Sequence, residues 1–340
     1  MKKLERILLP EWVEQEAIQL TWPHEESDWA PMLEEVEECF VRLACAIARF
    51  EPLLIVCKNA NAVRHKLSNI APQKMQLIEL PSNDTWARDH GGISITENGK
   101  PVVCDFIFNG WGLKFAADKD NLITRRLFDK GIFAQNVTYR NCLDFVLESG
   151  SIETDGEGTL LTTSACLLSP NRNDTLSEKD IEKILSKRLG IKRFLWLRNG
   201  YLRGDDTDSH IDTLARFCNA TTIAYIKCDD KNDEHYEALK KMEAELKSFR
   251  TRDGNPYQLI PLPMADKVIF DGKRLPATYS NFLIINGAVL VPFYDSPKDT
   301  VVIERLQAVF LDREIIGVNC LPLIKQHGSL HCVTMQYPKI

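Results

Sequence analysis

The sequence predicts an α+β fold, built as one domain from repeated units. Asn-Gly or Asp-Gly pairs between β-rich runs predict hairpins at Asn98, Asp155 and Asn286. A weaker Asn-Ala pair predicts a further hairpin at Asn219. In chain order these positions are 57, 64 and 67 residues apart, and a helical pattern follows each one. No linker rich in Pro, Gly or Ser divides the chain, so we expect residues 1–340 to form a single domain.

The elements between the hairpins follow one order along the chain. The first helix carries an apolar stripe at i, i+3, i+4 spacing from Leu33 to Phe50, and the strand run LLIVC comes after it. Later helical patterns cover residues 118–130, 173–189, 233–250 and 300–311. Asn173 or Asp174 is the expected N-cap of the second of these, and Gly190 is its expected C-cap. Each unit therefore reads strand–hairpin–strand–helix–strand, with about 60 residues repeated about five times.

Composition and charge exclude several classes of protein. The chain of 340 residues is 44% hydrophobic and 26% charged, which is typical of a soluble globular protein. Its formal net charge of -6 argues against a nucleic-acid binder and is compatible with a small cationic substrate. The longest apolar stretch, residues 282–294, is interrupted by Asn-Gly and is too short to cross a bilayer as a helix. We expect neither a nucleic-acid nor a membrane partner.

The ten cysteines raise the question of compartment and role. The apolar patch Ile7–Pro10 is shorter than a secretory signal needs, so we expect a cytoplasmic protein with reduced thiols. No CxxC pair occurs, which argues against a zinc ribbon or a redox pair. The thiols are then either buried apolar groups or a single nucleophile among bystanders.

Polar residues of catalytic type recur at one place in the repeat, shortly before the hairpin. Asp89, Glu148 and His210 precede their hairpin pairs by nine, seven and nine residues. Two further steps of 61 residues from His210 reach Cys332. Pseudo-symmetric units would bring equivalent positions together, so the phase of the repeat predicts one shared site.

The residue types suggest a reaction on a planar cation. A cysteine with a histidine is the minimal equipment for thiolate catalysis. Asp89 and Asp212 add carboxylates, which pair bidentately with guanidinium groups. Two structural alternatives stay open at this point: His210, Asp212 and Glu148 could ligate a metal, and Cys332 could be a core thiol.

Six separated motifs carry a resemblance to a known family. They are TWARDHGG (Thr85–Gly92), ESGSIETDGEGT (Glu148–Thr159), CLLSPNRN (Cys166–Asn173), GDDTDSHIDTLARF (Gly204–Phe217), YSNFLIINGAVLVPFYD (Tyr279–Asp295) and HGSLHCVTMQYP (His327–Pro338). In this order they resemble the agmatine deiminase branch of the guanidine-modifying enzymes, within the Porphyromonas-type peptidylarginine deiminase family. The resemblance implies a pentein fold: an α/β-propeller of five ββαβ-type repeats around a pseudo-fivefold axis.

The resemblance also assigns roles to residues at matching positions. Three residues would be catalytic: Cys332 as the nucleophile, His210 as the acid and base, and Glu148 as the residue that orients the histidine or contacts the substrate. Three others would bind the substrate: Asp89 and Asp212 as ligands of the guanidinium group, and Trp86 as an aromatic wall of the site. Trp86 could also be a simple core residue. The sequence departs from the family pattern at Ser149, where a glycine is usual, and at Glu153, where a histidine is common.

The implied reaction is hydrolysis of agmatine to N-carbamoylputrescine and ammonia. It would pass through an S-alkylthiouronium intermediate on Cys332, with no metal or organic cofactor. Deimination of free arginine or peptidyl-arginine to citrulline is the alternative, and Arg88, Arg203 and Arg216 near the motifs keep it open. Amidino transfer and a non-catalytic binding protein are further alternatives. The resemblance suggests a homodimer.

Overall fold

The computed structural model describes residues 5–340. Strands and helices alternate along the chain as the sequence predicts. The strands are β1 (Arg6–Leu8), β2 (Gln15–Thr21), β3 (Leu53–Cys57), β4 (Met75–Glu79), β5 (Ile93–Glu97), β6 (Lys100–Ile107), β7 (Thr138–Val146), β8 (Ile152–Thr154), β9 (Thr159–Thr163), β10 (Arg193–Leu197), β11 (Ala215–Asn219), β12 (Thr222–Lys227), β13 (Gln258–Pro263), β14 (Ile269–Phe270), β15 (Lys273–Arg274), β16 (Leu283–Ile285), β17 (Ala288–Phe293), β18 (Glu314–Asn319) and β19 (Thr334–Pro338).

Four of the helices have ten or more residues, and the others have four to seven. They are α1 (Leu33–Ala48), α2 (Ala60–Lys66), α3 (Ala87–His90), α4 (Gly110–Leu113), α5 (Ile123–Asp129), α6 (Ser164–Leu167), α7 (Pro170–Asn173), α8 (Glu178–Leu189), α9 (Tyr236–Ser248), α10 (Lys298–Gln307) and α11 (Leu321–Ile324). None of these helices within residues 5–340 has the length and apolar character that a bilayer crossing requires.

The strands form five small mixed sheets with one shared design and a separate hairpin, β14-β15. In each mixed sheet an antiparallel pair is extended by a parallel strand: β5-β6-β7, β8-β9-β10, β11-β12-β13, β16-β17-β18 and β19-β2-β3. The parallel pair is joined through α5, α8, α9, α10 or α1 respectively, and β1 and β4 add a fourth strand to the first and the last of these sheets. The mixed α+β fold is therefore confirmed, and the last sheet pairs the C-terminal strand with an N-terminal one.

The four hairpins expected at Asn98, Asp155, Asn219 and Asn286 are all present. Apolar side chains of the units form two buried clusters, one around α1, β3, β12 and β17 and the other around β5, β6, α5 and α8. The hairpin turns lie at the surface and the connections that precede them are buried. Those buried connections are where the candidate site forms.

One helix start differs from the prediction. Helix α8 begins at Glu178, not near Asn173, because Ser177 and Asp180 form a reciprocal capping box at its N-terminus. Asn173 is occupied elsewhere: its side chain accepts from Val146 N at 3.1 Å and donates to Val146 O at 2.9 Å. The expected C-cap is correct, since Gly190 ends α8 in the left-handed conformation with φ of 79°.

Candidate active site

A narrow cleft of about 30 Å³ is lined in part by Cys332. Its other walls are acidic and aromatic: Asp28, Asp84, Trp86, Asp89, Trp111, Phe115, Asp205 and Asp206 belong to the lining. A larger cavity of about 360 Å³ lies beside Tyr337, but none of its described lining residues is a cysteine or a histidine. The chemistry of the walls therefore places the candidate site in the narrow cleft.

The predicted residues come together from the buried connections of the five units. Asp89 precedes β5, Glu148 precedes β8, and His210 precedes β11. In the remaining two units Asn281 precedes β16 and Cys332 precedes β19. Each unit thus supplies a residue from the connection before its first antiparallel strand, and four of the five lie at the phase that the sequence predicts.

Cys332 is held in the turn before β19, where its side chain is only 5% exposed. Asn281 Nδ2 donates to the Cys332 Sγ at 3.3 Å, and Asn281 Oδ1 accepts from Cys332 N at 3.4 Å. Arg88 N donates to Cys332 O at 3.1 Å and so ties this turn to α3. The Sγ atom also lies 3.8 Å from Asp212 Oδ2. The thiol is therefore fixed against a carboxylate and an amide.

The surroundings of Cys332 favour the neutral thiol. Burial raises its pKa well above the ordinary value, and the nearby Asp212 and Asp89 carboxylates raise it further. A cation bound between these carboxylates would oppose both electrostatic contributions. The thiolate, which is the reactive form, is thus favoured only when a positive ligand is present.

Two buried carboxylates provide the place for such a cation. Asp89 accepts hydrogen bonds at both oxygens, from Gly150 N at 3.3 Å and from Trp111 Nε1 at 3.0 Å. Asp212 Oδ2 accepts from His331 Nδ1 at 2.8 Å. Asp212 Oδ1 is buried and has no hydrogen-bond partner among residues 5–340. Because an unpaired buried carboxylate oxygen is costly, this atom is suited to an N–H group of a ligand.

His210 follows a turn with an unusual backbone. Asp208 and Ser209 both have φ of 64°, in the left-handed region that residues other than glycine rarely adopt. Asp205 stabilises the turn by accepting from Ser209 N at 2.7 Å and from Thr207 Oγ1 at 2.6 Å. Thr207 Oγ1 in turn accepts from His210 N at 3.1 Å. These local bonds fix the backbone from which the imidazole extends.

The His210 ring faces Asp89 across 3.7 Å between Nδ1 and Oδ1. Burial alone would lower the pKa of His210, but Asp89 and the neighbouring Cys166 raise it to about 10. Burial raises the pKa of Asp89 to about 6, against the opposing effect of His210. Near pH 7 the pair is therefore ionic, with an imidazolium that has a proton to donate.

Glu148 acts on this region through Arg172. Both oxygens of the fully buried Glu148 lie 3.0 Å from Arg172 Nε, which donates to them. Arg172 Nη1 donates to Asp208 Oδ2 at 2.6 Å, and Nη2 donates to Thr207 O at 2.9 Å. Glu148 is not part of the cleft lining. Glu148 therefore holds Arg172, which in turn bonds to the turn that precedes His210.

The metal alternative does not fit these contacts. Within residues 5–340 the close group is Glu148, Cys166 and His210, with ligand atoms within 4.8 Å of one another, and Asp212 is not in it. Both Glu148 oxygens already accept from Arg172.

The departures from the family pattern have structural explanations. Gly150, the second residue after Glu148, is the one that must be small: a Cβ there would lie 2.7 Å from His210 Nδ1 and 2.8 Å from Asp89 Oδ1. Glu153 accepts from the buried Arg216 Nε at 2.6 Å and belongs to a buried charge cluster.

Trp86 forms an aromatic wall, as the resemblance implies. It is 5% exposed and lines the cleft, and its ring centroid is 5.8 Å from that of Trp29 and 6.4 Å from that of Trp111. A Cβ at Gly328 would lie 2.0 Å from the Trp86 ring, so the chain passes directly against the indole.

Sequence reasoning missed four side chains that shape the site. Asn281 lies in the YSNF segment five residues before its hairpin pair, closer than the seven to nine residues of the other units, so the phase of the repeat did not reveal it. Arg172 lies in a motif that carried the resemblance, but without an assigned role. Trp111 and Glu11 have no local signal, because long-range packing alone brings them to Asp89 and His331.

The chain is similar to known proteins over nearly its whole length. The Porphyromonas-type peptidyl-arginine deiminase family model matches residues 7–338. The agmatine deiminase of Pseudomonas aeruginosa (strain LESB58) is 32% identical over 352 residues, covering 96% of this chain and 94% of that protein.

Solved structures extend the likeness. A Porphyromonas gingivalis protein provisionally named an arginine deiminase is 59% identical, with a TM-score of 0.95 over 98% of this chain and 99% of that one. A cysteine-to-serine variant of the C. jejuni agmatine deiminase with substrate bound is 39% identical, with a TM-score of 0.93 over 100% of this chain and 98% of that one. The chain therefore belongs to the Porphyromonas-type peptidyl-arginine deiminase family and is a hydrolase that acts on amidino C–N bonds.

Proposed function

We propose that this hydrolase converts agmatine and water to N-carbamoylputrescine and ammonia. The observation that carries the proposal is that Cys332 and Asp89 line one cleft, while Asp212 lies 3.8 Å from Cys332 and His210 lies 3.7 Å from Asp89. A nucleophilic thiol, a protonated imidazole and two carboxylates are the groups that a guanidinium substrate requires. The agmatine deiminases among the relatives support the same reaction.

Binding prepares the nucleophile. The guanidinium group lies between Asp89 and Asp212 and donates to Asp212 Oδ1, which has no partner among the described residues. Its positive charge offsets the two carboxylates that raise the pKa of Cys332. The thiol then loses its proton to solvent, and the thiolate stands beside the guanidinium carbon.

The first half of the reaction forms the covalent intermediate. The Cys332 thiolate adds to the guanidinium carbon and gives a neutral tetrahedral adduct. His210 donates its proton to one amino group, the C–N bond breaks, and ammonia leaves. The product on the enzyme is a cationic S-alkylthiouronium, and His210 is now neutral.

The second half uses the neutral imidazole as a base. His210 takes a proton from water, and the oxygen adds to the thiouronium carbon. The C–S bond then breaks and returns the electron pair to Cys332 as thiolate, while a proton leaves the new ureido group. The sum is one guanidinium and one water converted to one ureido group, one ammonia and one proton.

The walls of the cleft favour agmatine over free arginine. Free arginine carries an α-carboxylate that needs a cationic partner, and none of the described lining residues is a lysine or an arginine. Arg216 is instead paired with Glu11 and Glu153 in the interior. Asp205 and Asp206 in the lining suit the primary amine of agmatine. Free arginine is the second candidate because of the provisional name of the P. gingivalis relative.

A ureido-product assay tests the proposal. The wild-type chain is given agmatine, free arginine and a blocked arginine peptide, and we expect turnover of agmatine well above the other two. Cys332→Ala should abolish turnover, while Cys45→Ala, which alters a half-buried thiol outside the cleft lining, should retain it. Faster turnover of arginine than of agmatine would show that arginine is the substrate, and full activity of Cys332→Ala would overturn the mechanism.

We also propose that the five units surround a common axis as a single propeller domain over residues 1–340. The support is that the five mixed sheets share one order of strands, and that Asp89 and Cys332 from two of the units line one cleft. By resemblance we propose a homodimer in the cytoplasm, and light scattering of the purified chain tests the dimer.

A further inference from the structure

A buried chain of hydrogen bonds runs behind Asp212, away from the cleft. His331, which directly precedes the nucleophile, bonds through Nδ1 to Asp212 Oδ2 at 2.8 Å and through Nε2 to Glu11 Oε2 at 2.7 Å. Its side chain is 2% exposed. Both nitrogens of one imidazole therefore face carboxylate oxygens in a site with little access to water.

The two carboxylates that flank the ring both have lowered pKa values. Burial opposes ionisation of Glu11, but Arg216 and His331 lower its pKa below the ordinary value. Burial likewise opposes ionisation of Asp212, and the bond from His331 lowers its pKa. An ionised carboxylate only accepts hydrogen bonds, so Asp212 Oδ2 is the acceptor for His331 Nδ1.

Other buried charged groups surround His331 and its partners. The carboxylates that face them are Glu11, Asp212 and Glu153; the guanidinium groups are Arg88 and Arg216, and the Asp89–His210 pair lies on the cleft side. Loss of one partner from such a buried cluster is expensive, so the contacts of His331 hold Asp212 in one arrangement.

We infer that His331 is a positioning residue, which acts through Asp212 on the guanidinium of the substrate. This inference rests on the proposed function. His331 occupies Oδ2 and keeps Asp212 ionised, so that Oδ1 is left to receive the substrate. The same residue positions the nucleophile, because Asn281 Oδ1 accepts from His331 N at 2.9 Å as well as from Cys332 N at 3.4 Å.

Two amide substitutions separate the two ends of the ring. The amide nitrogen of His331→Asn takes the place of Nδ1 and retains the donor to Asp212, whereas that of His331→Gln takes the place of Nε2 and retains the donor to Glu11. Because a hydrogen bond to a charged group contributes about 10- to 100-fold, we expect kcat/KM with agmatine to fall about 100-fold in His331→Gln and about 10-fold in His331→Asn. The loss should appear mainly in KM, since the contact is made to bound substrate.

The pH profile supplies a readout that a purely structural role would not change. Asp212 must be ionised to bind a cation, and His331 lowers its pKa. Loss of the donor raises that pKa, so substrate binding is lost at a higher pH as the solution is acidified. The acid limb of kcat/KM should move upward by about one pH unit in His331→Gln and by less in His331→Asn.

The controls keep the inference separate from the proposed function. His235→Gln alters another buried histidine, which lies outside the cleft lining, and should leave the profile unchanged. If the wild-type chain turns over none of the three guanidine substrates, the proposed function fails and the inference fails with it. If the wild type is active and both His331 variants retain its KM and its acid limb, the inference alone is overturned.

A measurement on the unaltered protein covers the case in which the variants do not fold. Side-chain ¹⁵N NMR of the seven histidines, with the ring of His331 assigned through its backbone, should show a proton on Nδ1 that is held in the bond to Asp212. A His331 ring that carries no proton on Nδ1 would overturn the inference.

Discussion

Gly150→Ala is predicted to cost activity while leaving the fold intact. A Cβ at this position would lie 2.7 Å from His210 Nδ1, 2.8 Å from Asp89 Oδ1 and 3.2 Å from Asp212 Oδ2. The backbone of Gly150 is outside the left-handed region, so alanine brings no backbone strain. The whole effect therefore falls on the three side chains of the site.

The size of the effect follows from the distances. Ordinary contact begins near 3.4 Å, so the His210 ring and the Asp89 carboxylate must each move by about 0.6 to 0.7 Å. A displacement of about 1 Å at a reacting group costs about 100-fold in rate. We expect kcat with agmatine to fall about 30- to 100-fold.

The assay is steady-state ureido-product formation together with thermal unfolding. Gly317→Ala is the matched control, because its Cβ would lie 2.1 Å from the Phe293 ring, outside the site. Gly317→Ala should lower Tm and leave kcat of the folded enzyme unchanged, whereas Gly150→Ala should lower kcat and leave Tm unchanged. Ser149→Ala should retain activity. Wild-type kcat in Gly150→Ala would refute the placement of His210 and Asp89 at this glycine.

Three further predictions concern stability and metal dependence. Arg172→Met leaves Glu148 buried without its partner and should destabilise the fold by about 3 to 5 kcal/mol in urea unfolding. An unchanged urea midpoint would contradict the structural role of the Arg172–Glu148 ion pair. Burial raises the pKa of Glu51 to about 7, so the stability that its protonated form contributes is lost as pH rises from about 4.5 through 7. Glu51→Gln should remove this loss and raise stability at pH 8 by about 3 kcal/mol relative to wild type, and parallel Tm profiles of the two proteins between pH 5 and 8 would refute it. A chelator should leave turnover unchanged, because Glu148 is bonded to Arg172; loss of activity that zinc restores would reverse that conclusion.

Local signals in the sequence account for most of the fold. The Asn-Gly and Asp-Gly hairpins follow from backbone preferences of two residues, and the α1 stripe follows from one face of one helix. The start of α8 was predicted too early because two capping signals compete. The capping box at Ser177 prevails, while Asn173 bonds to Val146, a strand residue 27 positions away.

The residues of the site differ in the same way: some have a signal in the sequence, and others depend on distant partners. Cys332 and His210 could be predicted because the repeat gives them a phase, whereas Asn281 lies outside that phase and its amide side chain is not a reactive group. Arg172 and His331 act through partners that are distant in sequence: Glu148 is 24 positions from Arg172, and Glu11 is 320 positions from His331. Their roles depend on three-dimensional contacts, which the order of residues alone does not reveal.

The covalent step on Cys332 is tested most directly by trapping the intermediate. Enzyme mixed with agmatine is quenched in acid during turnover, digested, and analysed by peptide mass spectrometry. We predict that the peptide carrying Cys332 gains the mass of agmatine less ammonia, and that the gain disappears as substrate is exhausted. Rapid turnover with no adduct on any cysteine, or with the adduct on Cys166, would contradict the assignment of Cys332 as the nucleophile.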